Sequence, residues 1–162
     1  MRQLAKSEHV ELWYEPNTDI LCTVLVGKLE VSDAHLLMQK TREILAEIRP
    51  RPEPWYVLVD IRQAGSLTPE VREAFADAED TSLETRALQN ARRMAIFGGS
   101  FAFRTVAGLI MKALHLVQSA PFSSADSDHR GVRWTIEADE ATARAWLLER
   151  QRADVARKAA PT

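Results

Sequence analysis

The segment that most constrains the fold is the short apolar run Trp55–Ile61 (WYVLVDI), which has chain-breaking sequence on both sides. Before it, Pro50, Pro52 and Pro54 end any helix, because proline cannot continue one. After it, Thr68-Pro69 combines a capping hydroxyl with proline at the first helical position. A run this short, without polar alternation, is typical of a buried central strand. We therefore expect a helix, this strand and a second helix, in that order.

The rest of the chain continues this alternation. Val10–Glu15 and Ile20–Gly27 are separated by Pro16-Asn17-Thr18-Asp19, which predicts an antiparallel hairpin. Other expected elements are a helix capped at Ser32 and ending at Ile48, a strand Met94–Phe97, an edge strand Val132–Ile136, a helix capped at Asp139, and helices at Leu83–Asn90 and Ser100–Ser119.

This order predicts an α/β fold with one domain over residues 1–150 and a polar, frayed tail over 151–162. Strands that alternate with helices pair in parallel, so we expect a mixed, mostly parallel sheet of about five strands with an N-terminal β-hairpin. The 46% apolar content of the 162 residues excludes disorder for most of the chain.

Charge and cysteine content limit the function classes. The net charge of −2 gives no general attraction to nucleic acid or anionic membranes. No apolar run approaches the roughly 20 residues of a membrane span. Met1–Glu11 lacks the apolar core of a signal peptide, and the single cysteine, Cys22, forms no internal disulfide. We expect a cytoplasmic protein, and the preference for Arg over Lys suggests a bacterial source.

The first candidate site is the loop after Trp55–Ile61, with Asp60, Arg62, Ser66 and Thr68. Open α/β sheets bind ligands beyond the carboxyl ends of their strands, which is where this loop is expected. A phosphate at Ser66 or Thr68 would be stabilised by the N-terminus of the following helix. The simpler interpretations are that Thr68 caps that helix and that Asp60 accepts hydrogen bonds from the loop.

The second candidate is the Ser100–Ser119 helix, which carries more apolar residues than one core face requires. Exposed apolar area with a basic rim predicts a partner, homodimer or lipid surface, whereas burial on all sides is the equally supported alternative. The surface comprises Phe101, Arg104, Leu109, Met111, Lys112, His115 and Leu116.

The element order resembles the STAS domain superfamily, in particular its SpoIIAA-like (STAS/SEC14-like) branch. The resemblance covers roughly residues 9–149 and depends on the strand ending in Asp60, the Gly98-Gly99-Ser100 turn and the closing A-x-A-W-L pattern at Ala143–Leu147. Antagonists of anti-sigma factors in this superfamily carry a phosphorylated serine in a D-S-S-G-L motif. Here that stretch reads Gln63–Pro69 and lacks D-S-S-G, which argues against a phosphoswitch.

The resemblance implies a non-enzymatic regulatory module that binds a protein partner, with homodimerisation as a further expectation. The alternative is a SEC14-like carrier or sensor of a lipid or other apolar ligand. We expect no catalytic residues, cofactor or metal, because no nucleophile–base pair, nucleotide-binding motif or metal-ligand spacing is present.

Overall fold

The computed structural model describes residues 1–48, 54–77, 92–99 and 134–159. Within these ranges the chain forms six strands and three helices. The elements are β1 (Arg2–Lys6), β2 (Val10–Glu15), β3 (Ile20–Gly27), α1 (Val31–Ile48), β4 (Trp55–Ala64), α2 (Pro69–Asp77), β5 (Arg92–Phe97), β6 (Trp134–Glu137) and α3 (Glu140–Ala159). The helices predicted at Leu83–Asn90 and Ser100–Ser119 lie outside the described residues.

The strands form one mixed sheet in the order β1-β2-β3-β4-β5-β6. β1, β2 and β3 are antiparallel neighbours, whereas β3 to β6 run parallel. The predicted α/β class, hairpin and mostly parallel pairing are confirmed. The sheet has one strand more than the five expected, because β1 was not predicted. Its sequence, RQLAK, contains no β-branched or aromatic residue, and β1 depends on pairing with β2.

Alternating side chains of the parallel strands point to opposite faces of the sheet. On one face, Val57 and Ile61 of β4 pack in the clusters that contain buried residues of α1 and α2. On the other face, Tyr56 and Leu58 pack with Ala143 and Leu147 of α3. β4 is therefore covered on both sides, as expected for the central strand.

Side-chain caps start each helix. Thr68 Oγ1 accepts a hydrogen bond from Val71 N at 3.4 Å, and Asp139 Oδ1 accepts from Thr142 N at 2.9 Å, as predicted. The start of α1 differs from the prediction. Asp33, not Ser32, reaches back to accept from Glu30 N at 2.9 Å, which is half of a capping box.

The last helix is longer than expected. The sequence predicted a polar tail from Gln151, but α3 extends to Ala159. The reason is a cluster at Asp154, whose carboxylate accepts from Tyr56 Oη at 3.2 Å and pairs with Arg93 at 3.4 Å. The side chains of Asp154 and Arg93 are 8% and 12% exposed, respectively. These buried contacts anchor this part of α3 to β4 and β5.

We predict that Asp154→Ala destabilises the protein by about 3 kcal/mol, because it leaves the buried Arg93 guanidinium without its counter-charge. Chemical denaturation followed by circular dichroism measures this change. Glu149→Ala, an exposed acid on the same helix, is the control and should change stability by less than about 0.5 kcal/mol. Equal stability of Asp154→Ala and wild type would show that the cluster does not anchor α3.

Candidate functional site at the carboxyl edge of the parallel strands

The carboxyl ends of β3, β4 and β5 lie side by side at one edge of the sheet. Gly27 at the end of β3 pairs with Ala64 of β4, and Asp60 pairs with Phe97 at the end of β5. The pairing of β3 with β4 shifts register between Val24 and Val26, which is a bulge next to Asp60. Bulges redirect side chains at functional edges.

Asp60 and Arg62 form the polar centre of this edge. The buried Asp60 carboxylate accepts hydrogen bonds from Arg62 N at 2.9 Å, from Nε at 3.0 Å and from Nη2 at 2.6 Å. The Arg62 guanidinium lies 5.1 Å from the centroid of the Phe97 ring. Hydrogen bonding to Asp60 raises the pKa of Arg62. Because its side chain is still 59% exposed, Arg62 presents a fixed cation to solvent.

The two hydroxyls of the loop have different surroundings. Thr68 is half-buried and caps α2, as described above. Ser66 is exposed and, among the described residues, has no hydrogen-bond partner. The pKa of the Glu70 carboxyl is lowered by its own backbone N–H and by the Thr68 hydroxyl. The N-terminus of α2 therefore already holds two internal acceptors.

Two glycines let the loops of this edge approach closely. Gly65 N donates to Gly27 O at 2.6 Å, and a Cβ at Gly65 would lie 2.8 Å from that oxygen. Gly98 has φ +87°, and a Cβ there would overlap Arg62 Cγ. Because Gly98 has no side chain, the Arg62 side chain can occupy this space. A turn at Gly98-Gly99 is expected from the sequence, but this contact is not, because it depends on the pairing of β4 with β5.

A second polar cluster, which is also not predicted from the sequence, joins the β2–β3 hairpin to α3. Arg144 donates to both carboxylate oxygens of Glu15, at 2.9 and 3.0 Å, and to Glu140 at 2.7 Å. Hydrogen bonding from Arg144 lowers the pKa of Glu15 to about 2. Burial, with the nearby Glu15 carboxylate, raises the pKa of the Cys22 thiol to about 12. Cys22 is therefore an unreactive thiol, and it lies next to the structural ion pair of Glu15 and Arg144.

The predicted binding surface of the Ser100–Ser119 helix, from Phe101 to Leu116, lies outside the described residues.

The described residues also bear on a ligand cavity, a metal site and a membrane span. Between α1 and the sheet, a cavity of about 10 Å³ is lined by Tyr14, Leu21, Ile44 and Trp55 among others, which is room for one water molecule and not for a lipid. Within the described ranges, no cluster of three or more His, Cys, Asp or Glu side chains is arranged for a metal ion. No described helix has both the length and the apolar character of a membrane span.

Comparison with known proteins identifies the fold. No family model and no curated protein matches the chain. Among solved structures, it is similar to the crystal structure of an uncharacterised protein of the DUF3478 family from Shewanella loihica PV-4, described as having a SpoIIAA-like fold. The TM-score is 0.58 at 18% identity, and the match covers 88% of this chain and 97% of the other. The chain is therefore an α/β domain with a SpoIIAA-like fold, as the resemblance implied.

We predict that Gly98→Ala destabilises the protein by about 2–4 kcal/mol, because the new methyl group displaces Arg62 and an L side chain is strained at this φ. Thermal and chemical denaturation measure the change. Gly27→Ala is the control, since Gly27 also has a positive φ (+63°) but its Cβ would lie 3.6 Å from the nearest atom, in His9. Gly27→Ala should cost only about 1 kcal/mol. Equal losses in both variants would contradict close packing at Arg62.

The Glu15–Arg144 pair predicts a pH dependence of stability. The pKa of Glu15 falls from an ordinary value near 4.5 to about 2 on folding, so its contribution is present above pH 4.5 and is lost as the pH falls towards 2. Because the pair is partly exposed, we expect Glu15→Gln to cost about 1–2 kcal/mol at pH 6 and nearly nothing near pH 2. Denaturation curves across this range, with Glu149→Gln as control, test it. A cost independent of pH would be inconsistent with the pair.

Proposed function

We propose that this protein is a non-enzymatic regulatory module that binds a protein partner through the carboxyl edge, defined as residues Asp60 to Thr68. The observation that carries the proposal is the Arg62 guanidinium, exposed to solvent and held by Asp60 and the Phe97 ring. A side chain that is already fixed loses little conformational entropy on binding. Arginine is also among the residues most enriched at the energetic centres of protein interfaces.

The surroundings of Arg62 support a binding surface. Gln63, next to Arg62 at the end of β4, and Ser66, in the short loop that joins β4 to α2, are both exposed. The other polar groups have internal roles: Asp60 binds Arg62, and Thr68 caps α2. Loops held by a rigid scaffold commonly carry recognition residues. The SpoIIAA-like fold supports the same proposal by analogy, because the superfamily that the sequence resembles includes partner-binding regulators.

The proposal includes a cytoplasmic bacterial location, as expected from the sequence, and self-association to a homodimer as a further property of the module. The carrier hypothesis requires a cavity between the Ser100–Ser119 helix and the sheet. The helix on which that hypothesis depends lies outside the described residues. Native mass spectrometry of protein purified from its host separates the two functions, since a carrier retains an apolar ligand.

The test is site-specific cross-linking in host cells. A photoreactive residue at Gln63 should form a covalent product with a protein partner, whereas one at the exposed position His35 on α1 should not. Once the cross-linked protein is identified, Arg62→Ala should weaken its binding at least about tenfold by calorimetry, because a central interface arginine contributes more than about 1.4 kcal/mol. Arg72→Ala, an exposed arginine on α2, is the matched control.

The proposal fails if Gln63 and His35 give the same products, or if Arg62→Ala and Arg72→Ala weaken binding equally. Recovery of a bound lipid without a protein cross-link would instead favour the carrier. Circular dichroism of each variant establishes that it is folded before binding is measured.

A further inference from the structure

The last half of α3 is rich in basic residues. We define the α3 basic surface as Arg150, Arg152 and Arg157. The ten residues 150–159 contain these three arginines, Lys158 and one acid, although the whole chain has a net charge of −2. Arg150 and Arg157 are seven residues apart, so they lie on the same side of the helix, about 10 Å apart along its axis.

The one acid in this segment is already engaged. Asp154 is 8% exposed and is held by Arg93, Tyr56 and Arg157, with contacts of 3.2–3.4 Å. Because the single negative charge of Asp154 is shared between the Arg93 and Arg157 guanidinium groups, it does not neutralise the positive charge of the α3 basic surface. Arg157 remains 52% exposed despite its contact with Asp154. The segment therefore keeps an excess of positive charge.

Arg150 is fixed without a hydrogen bond. Its guanidinium lies 5.2 Å from the centroid of the Trp146 ring, and its Nε is buried with no acceptor. Among the described residues, no oxygen accepts a hydrogen bond from Arg150. The side chain is thus held in place by an aromatic face while its terminal N–H groups remain unused, which favours pairing with an external carboxylate.

We propose that the α3 basic surface binds an acidic, extended segment of a protein partner. In an extended segment of polyproline II type, which has three residues per turn, carboxylates three residues apart lie on the same side and about 9 Å apart, close to the spacing of Arg150 and Arg157. Bidentate pairing of each guanidinium with a carboxylate supplies both affinity and register. The surface lies at the amino ends of β4 and β5, where Tyr56 and Arg93 contact Asp154. It is therefore independent of the Asp60–Thr68 edge.

The structure favours an acidic peptide over other anionic partners. A membrane-binding helix needs a free apolar face, but Ala143 and Leu147 of α3 are buried on the sheet and Val155 is the one exposed large apolar residue on the described helix. Single-stranded nucleic acid needs an exposed aromatic side chain for stacking, whereas Trp146 is half-buried and covered by Arg150.

The test uses a synthetic peptide with glutamate at every third position, separated by glycine and serine, and a matched peptide with glutamine at those positions. Titration at low salt is followed by the Nε–Hε signals of arginine in NMR spectra. We expect saturable shifts of the Arg150 and Arg157 signals with the glutamate peptide only. Arg150→Gln/Arg157→Gln should weaken binding about tenfold or more.

Three variants serve as controls. Lys28→Gln/Arg72→Gln makes the same change of charge on exposed residues outside α3 and should alter binding less than about twofold. Arg150→Lys/Arg157→Lys should recover part of the affinity, since the charge remains but the bidentate geometry is lost. If the double glutamine variant does not fold, Arg152→Gln, which changes an exposed side chain, should still weaken binding measurably.

Equal binding of the two peptides, or equal loss in Lys28→Gln/Arg72→Gln, would overturn the proposal. So would tighter binding of a short DNA duplex or of phosphatidylglycerol vesicles through the same arginines, because the partner class would then be wrong.

Discussion

Burial of β4 on both faces is the constraint on which the rest of the structure depends. Val57 and Ile61 are covered by α1 and α2, whereas Tyr56 and Leu58 are covered by α3. Because β4 also pairs in parallel with β3 and β5, it fixes the register of the sheet. The same strand carries Asp60 and Arg62 at its carboxyl end and the Tyr56 contact with Asp154 near its amino end.

Local signals in the sequence were sufficient for most of the fold. The apolar run at Trp55–Ile61, the Thr68-Pro69 helix start and the Asp139 cap each depend on neighbouring residues, and each was predicted. β1 and the end of α3 could not be predicted in this way. β1 is stabilised by its pairing with β2, and α3 is anchored by Asp154 to Arg93, which is 61 residues away in sequence. Propensity and periodicity do not detect such contacts.

The candidate site was predictable in position but not in geometry. The expected place beyond a central strand followed from general rules for α/β sheets, and so did the cap role of Thr68. The fixed Arg62 could not be foreseen, because its contact with Phe97 requires the β4–β5 register and its space requires Gly98. The segment from Asp60 to Thr68 therefore presents a fixed and exposed cation, Arg62, which its composition alone does not predict.

The most direct test of the account is hydrogen exchange of the protein alone and in complex with the partner cross-linked through Gln63. The account predicts slower exchange in the segment from Asp60 to Thr68 and an unchanged rate in the core of β4, which is already protected by burial. A complex that slows exchange elsewhere but leaves Asp60 to Thr68 unchanged would contradict the assignment of this edge as the primary binding surface.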